Sequence, residues 1–248
     1  MVDLEDSRRF VPLHGAFNVR DMGGYPTLDG HSLRWGLLYR GDGPERIDDH
    51  DRAEIRRRDI ATVIDLRSPG ERQASWSVAD GGTVHDLSLY ENLPNFKELP
   101  PLRGPADMGA RYLWRVESTA SIMVTALEVM AATSDRPMMF HCSGGKDRTG
   151  TLAAVLLELL GVGDEVIVAD YALSHEPHER IKALVLADPK PHDIDYAQLP
   201  EIAATAQAAT MAAFLEQVRA KHGTAAAPLW AAGLQQATVD RLHAALVA

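Results

Sequence analysis

The chain has 248 residues, 46% of them hydrophobic, a single cysteine and a formal net charge of −10. The length and apolar content suit one α/β domain with a full core, and a lone cysteine rules out an internal disulfide framework and suits a reducing compartment. The acidic balance argues against general nucleic-acid binding, which needs a basic surface. No apolar run approaches the roughly 20 residues of a membrane span, since Glu158 breaks the best candidate.

Residues 1–35 read as loops and short strands rich in glycine. LRWGLLYRG predicts a strand ending near Arg40. Asp48 and Asp49 can cap an amphipathic, charged helix over 49–58. ATVIDLR is β-branched and apolar and predicts a buried parallel strand; TVHDLSL alternates and predicts another. Residues 91–110, with four prolines, read as loop, and 111–133 as a long helix. PMMFHC predicts the central strand and 149–160 the helix behind it. DEVIVADYALS predicts a further helix with Asp164 as its cap. HEPHERIKALVLADPKPHD reads as helix then proline-rich loop, EIAATAQAATMAAFLEQVRAKHG as an alanine-rich helix, and a last helix follows Thr238. Strands alternating with helices imply an α/β fold, a central, mostly parallel sheet flanked by helices, with extra C-terminal helices. The whole chain, 1–248, is expected to be one domain.

The run His141-Cys142-Ser143-Gly144-Gly145-Lys146-Asp147-Arg148-Thr149-Gly150 sits between the central strand and an apolar helix. A helix N-terminus presents unpaired N–H groups and the positive end of the helix dipole. A glycine-containing turn ahead of it can curl further N–H groups round an anion. Gly144 and Gly145 let the backbone come close to a ligand, and the planar fork of Arg148 can grip two phosphate oxygens. A sulfur inside this positive cup is expected to be a thiolate and a nucleophile. Ser143, Gly144, Gly145, Lys146 and Thr149 would then line the bound phosphate, with Thr149 able to donate to the sulfur and His141 ordering the loop from behind. Cys142 would attack phosphorus, and water would release the phosphocysteine, with Arg148 and the loop N–H groups stabilising the charge. Such a site needs no metal or other cofactor. A buried, inert cysteine would explain neither the glycines nor the Lys-Asp-Arg cluster.

The form HC-x-x-GKDRTG resembles the bacterial cysteine-dependent tyrosine and lipid phosphatases. GAFNVRDMGGY near the start is similar to that family's opening N-x-R-D motif, and LLYRGDGPERIDDHDRAEIRRRDIATVIDLRS to its strand, helix and strand ending in DLRS. VIVADYALS and AAGLQQATVDRLHAAL resemble its following and last helices. Only residues 88–110 and 186–206 match poorly. The resemblance implies a cysteine-phosphatase-like fold and activity on phosphotyrosine, with reach to phosphoserine, phosphothreonine and phosphoinositides. Phosphoprotein or phosphoinositide substrates would be the partners. It implies that Asp147 is the acid–base group and that Lys146 touches substrate, in keeping with phosphoinositide activity. It also implies that helices around 175–222 can form a lid. The opening MVDLEDSRRFVPL has no apolar h-region, so no Sec-type signal is visible. Relatives can be exported without one, so the expected location is the cytoplasm, or outside by another route.

Alternatives stand beside several of these roles. Asp147 could pin the loop or pair with Lys146, and Asp86, Glu91 and Asp107 are rival acids. Asn18, Arg20 and Asp21 read as a brace for the loop, with Gly23 and Gly24 making a turn. Arg67 ends a parallel strand, where ligands of open α/β sheets bind, or else forms a surface salt bridge. His175-Glu176-Pro177-His178 has metal-ligating residue types, but Pro177 and the lack of further ligands make it a helix surface. Tyr171, Met138 and Met139 read as core. A rhodanese-like sulfurtransferase also uses a cysteine in an anion cradle, but Asp147 and the Arg148-Thr149-Gly150 ending suit it less well. A phosphoprotein-binding module would be expected to lack the nucleophile or the arginine.

Overall fold

The computed structural model describes residues 6–89, 101–189, 195–196 and 198–248. Five strands form one sheet: β1 (Arg20–Asp21), β2 (Leu38–Gly41), β3 (Thr62–Asp65), β4 (Thr83–Asp86) and β5 (Met138–His141). Their order is β1-β2-β5-β3-β4, with β1 antiparallel and the rest parallel. β5 is thus central, and its C-terminal end releases the chain into the loop that carries Cys142.

The period-2 alternation of the strands divides the apolar side chains between two cores. Leu38, Ile64, Met138 and Phe140 face the larger one, while Tyr39, Val63 and Met139 face the smaller. Helix α1 (Asp49–Arg57) closes the smaller core through Ile55. Asp48 caps it, accepting from the Asp51 backbone N–H at 2.9 Å while the Asp51 side chain reaches back, a reciprocal capping box. The larger core lies under α2 (Pro105–Ala132), α3 (Asp147–Leu159), α4 (Asp164–Ala172), α6 (Ala208–His222), α7 (Ala227–Ala231) and α8 (Gln236–Leu246). Helix α5 (His175–Ala187) leads instead to a small cluster of Val185, Tyr196 and Ala204. Among the described residues, no helix is long and apolar enough to cross a membrane.

Several boundaries differ from the expected ones. Helix α2 starts at Pro105, whose missing N–H costs nothing in a first turn, so only 101–104 of the described part of that proline-rich stretch is loop. Helix α3 begins at Asp147, two residues earlier than predicted. Asp164 is not a cap: Gly163 occupies that position without a side-chain bond, and Asp164 pairs with Arg219 on α6. The alanine-rich segment is interrupted, with a 3-10 turn at Glu201–Ala203 before α6. Helix α8 starts two residues before Thr238.

Candidate active site

The β5–α3 loop places Cys142 and Arg148 in the interior, 2% and 6% exposed. Three of its carbonyl groups are taken by other segments and the fourth by the first turn of α3. Ser143 O accepts from Gly43 N at 2.8 Å, Gly144 O from Asn18 Nδ2 at 3.0 Å, Gly145 O from Arg40 Nη2 at 2.8 Å, and Lys146 O from Gly150 N at 2.8 Å. Among the described residues, no backbone N–H from Ser143 to Asp147 donates to a protein acceptor. The loop therefore turns its acceptors outward and keeps its donors for something else, as an anion-binding nest does. Gly145 has φ of +66°, and a Cβ there would lie 2.6 Å from the Gly41 carbonyl. Only glycine tolerates both conditions.

Arg148 is held by Glu71. The two guanidinium nitrogens Nη1 and Nη2 donate to Oε2 and Oε1 at 2.6 and 2.7 Å, and Ser143 Oγ donates to Oε1 at 2.8 Å. Burial pushes the Glu71 carboxyl up, but the bonds from Arg148 outweigh it and hold the pKa at about 2. Glu71 is a site residue that sequence reasoning missed. Its signal was the Ser68-x-x-Glu71 capping box, in which Ser68 N and Oγ donate to Oε2 at 2.8 and 2.7 Å.

The N-terminal motif braces the loop through a buried ion cluster. Asp42 fixes Asn18 by accepting from the Phe17 and Asn18 N–H groups at 2.8 and 3.0 Å. Arg20 donates to Asn18 Oδ1 at 2.5 Å, to Asp170 Oδ1 at 2.9 Å and to Ser174 Oγ at 3.2 Å. Arg40 donates to the other oxygen of Asp170, and Tyr25 Oη to Oδ1 at 2.7 Å. Arg40 and Asp170 were also missed in the sequence, although both stand inside quoted motifs. Asp21 shapes the neighbouring turn, accepting from Gly23 N at 2.8 Å and Gly36 N at 2.7 Å.

Arg67 is not a surface salt bridge. It is fully buried, donates to Asp65 Oδ2 at 2.6 Å and to Ala74 O at 2.8 Å, and pairs with Glu45. His141 lies behind the loop, its Nδ1 3.2 Å from Cys142 O and its ring edge-on to Trp76. Burial, with Arg67 and Arg148 nearby, pushes the His141 pKa down to about 3, so the ring is neutral.

Asp147 opens α3 with its side chain about one-third exposed, 31%. Tyr112 Oη donates to its Oδ1 at 2.5 Å and lies 2.8 Å from Tyr171 Oη. Burial raises the Asp147 carboxyl, but Lys146, Arg115 and the Tyr112 hydroxyl hold it below its ordinary value. The buried Lys146 ammonium donates to Ala203 O at 2.5 Å and Thr205 O at 3.1 Å and lies 3.5 Å from Asp147 Oδ1. Thr149 Oγ1 is buried without a hydrogen bond among the described residues, so the expected bond to Cys142 is not formed. Asp86 pairs with Arg72 at 3.3 Å, and Asp107 accepts from Arg103 N at 2.8 Å; Glu91 lies outside the described residues. His175 and Glu176 are exposed as a helix surface should be, but His178 is 3% exposed, because that face of α5 turns inward.

A mostly parallel sheet flanked by helices, with a cysteine and an arginine at the two ends of a donor-lined loop on its central strand, is a phosphatase-like fold. Residues 11–248 match the model of the tyrosine phosphatase family, and the chain belongs to that family. Over 95% of its length it is 31% identical to the triple specificity protein phosphatase PtpB of Mycobacterium tuberculosis, covering 98% of that protein. It is 32% identical to a putative tyrosine-protein phosphatase of Cupriavidus necator, over 68% of this chain and 64% of the relative. A tyrosine-protein phosphatase of Nostoc commune is 30% identical over 52% of this chain and 45% of its own length.

Proposed function

We propose that the protein hydrolyses phosphate monoesters by a metal-independent cysteine mechanism. Its substrates are phosphotyrosine and, more widely, phosphoserine, phosphothreonine and phosphoinositides. The observation that carries this reading is the loop itself, whose Ser143, Gly144 and Gly145 carbonyls are held by other segments while, among the described residues, the N–H groups from Ser143 to Asp147 have no protein acceptor. Family membership and the triple specificity of the mycobacterial relative support the breadth of substrate.

In the first step Cys142 Sγ bonds to phosphorus as the ester P–O bond breaks, and the leaving oxygen takes a proton from Asp147. In the second, a water oxygen bonds to phosphorus, the S–P bond breaks, and Asp147 takes the water proton. Arg148 and the loop N–H groups stabilise the equatorial oxygens, doing the work a cation would otherwise do. Without a phosphate beside it Asp147 is a carboxylate, held below its ordinary value by Lys146, Arg115 and the Tyr112 hydroxyl. A phosphate dianion bound beside it raises that pKa, the direction a general acid needs. Ser143, Gly144, Gly145 and Thr149 are assigned to hold the substrate phosphate, and Lys146 would reach it only by leaving the carbonyls of Ala203 and Thr205 that hold its ammonium. His141, Arg20, Asp21 and Arg67 are assigned to support it.

The test is phosphate release from a phosphotyrosine peptide and a phosphoinositide panel, with chelator present, by wild type, Cys142→Ser and Asp147→Asn. Loss of activity in Cys142→Ser, and a fall of about 100-fold or more in Asp147→Asn, with no effect of chelator, is expected. Activity surviving Cys142→Ser overturns the mechanism. No phosphoester hydrolysis, together with persulfide formation from thiosulfate, would make the protein a sulfurtransferase.

A further inference from the structure

His178 has no part in the chemistry above, yet it is one of the most enclosed polar side chains beside the loop. It is 3% exposed, and neither ring nitrogen has a hydrogen-bond partner among the described residues. Its ring stands against the phosphate loop, with Nδ1 and Cε1 each 3.4 Å from where a Gly144 Cβ would lie. Tyr196 closes the other side, edge-on at 5.6 Å between centroids. Lys146, Asp147, Lys182 and His175 are the charged or titratable groups that act on it most strongly. Packing alone would be served better by a phenylalanine or leucine, since two buried nitrogens without partners cost stability. Such a group beside a ligand-binding loop calls for a partner supplied by the ligand.

Burial pushes the His178 pKa down to about 4, so the ring is neutral. A neutral imidazole offers one N–H and one lone pair. That pair of valences is not matched to a phosphate anion, which only accepts, nor to a phenyl ring, which offers neither. It matches a hydroxyl group, which both donates and accepts. We propose that His178 is a specificity-determining residue that hydrogen-bonds a hydroxyl flanking the phosphoester, favouring phosphorylated polyols over phenyl phosphates. This rests on the phosphatase reading of the same site.

The experiment compares inositol 1-phosphate with phenyl phosphate in wild type, His178→Phe and His178→Gln. Each compound is measured as KM, or as Ki against phenyl phosphate where turnover is slow. His178→Phe keeps a ring and removes both nitrogens, whereas His178→Gln keeps a donor and an acceptor. The ratio of the two constants is expected to shift about tenfold against inositol 1-phosphate in His178→Phe, and to return to within about threefold of wild type in His178→Gln. A partial loss of folding lowers only the amount of active enzyme, and KM and Ki, which do not depend on that amount, still report the folded fraction. An unchanged ratio in His178→Phe overturns the proposal, as does a wild type that handles phenyl phosphate but does not bind inositol 1-phosphate. A wild type that neither turns over nor binds either compound overturns the phosphatase reading as well.

Discussion

Glu71 grips Arg148 with both carboxylate oxygens, from 77 residues away in sequence. A guanidinium has five N–H donors in a fixed plane, and Glu71, by taking two, sets the plane of the rest. Glu71→Gln removes the charge and one acceptor. It is expected to lower kcat by about tenfold or more, since a misaimed donor stabilises the transition state poorly. Steady-state kinetics on a phosphotyrosine peptide check this, and an unchanged kcat would show that Arg148 orients itself.

The Tyr112 hydroxyl is among the groups that hold Asp147 below its ordinary value. Tyr112→Phe therefore raises the Asp147 pKa. The limb of the pH–rate profile that belongs to Asp147 moves to higher pH, and kcat falls about tenfold for loss of a bond to a charged group. A profile that keeps its shape while activity drops would assign Tyr112 to packing alone.

Cys142 is the only thiol in the chain, so oxidation to a sulfenic acid cannot be trapped by a second cysteine. Peroxide is expected to inactivate the enzyme, through a backbone sulfenamide or further oxidation. Inorganic phosphate should slow this by covering the sulfur of a residue that is already only 2% exposed. Mass spectrometry during inactivation reads the outcome; an unmodified Cys142 in inactive enzyme rules it out.

His178 is expected to weaken folding in acid. His178 is lowered from 6.5 to about 4, so the unfolded chain binds the proton more readily. The stability this residue permits is complete above pH 6.5 and is lost as pH falls towards 4. Thermal melts of wild type and His178→Gln across that window are expected to show a shallower fall in the variant. Asp42 and Asp65, both raised to about 6, act in the opposite sense but equally in the two proteins. Parallel melting curves would exclude the role.

What the sequence disclosed was whatever is encoded locally. The β3, β4 and β5 strands, the Asp48 cap of α1 and the strand–loop–helix that presents Cys142 all follow from periodicity and turn chemistry within a dozen residues. Arg40 and Gly145, or Glu71 and Arg148, meet only because β2 and β3 flank β5, a fact of topology with no local trace. His178 was misread for the same reason: a helix in isolation does not reveal that its next turn faces another loop. Lys146 shows the reverse limit, since its motif suggests a ligand while its ammonium is committed to the carbonyls of Ala203 and Thr205.

Asp170 belongs to α4 and touches no atom of the phosphate loop in any bond described above, yet it sits between the two arginines on which the loop's middle depends. Arg20 reaches Gly144 through Asn18, and Arg40 reaches Gly145 directly. The cup thus has a keystone remote from its opening. Taking away that one carboxylate would leave two like charges facing each other in the dry interior, a loss on the order of 3–5 kcal/mol for a broken buried pair. Both glycine carbonyls would be let go at once. The shape of the site therefore stands or falls as a unit, and damage to it can begin on a helix that no substrate would meet.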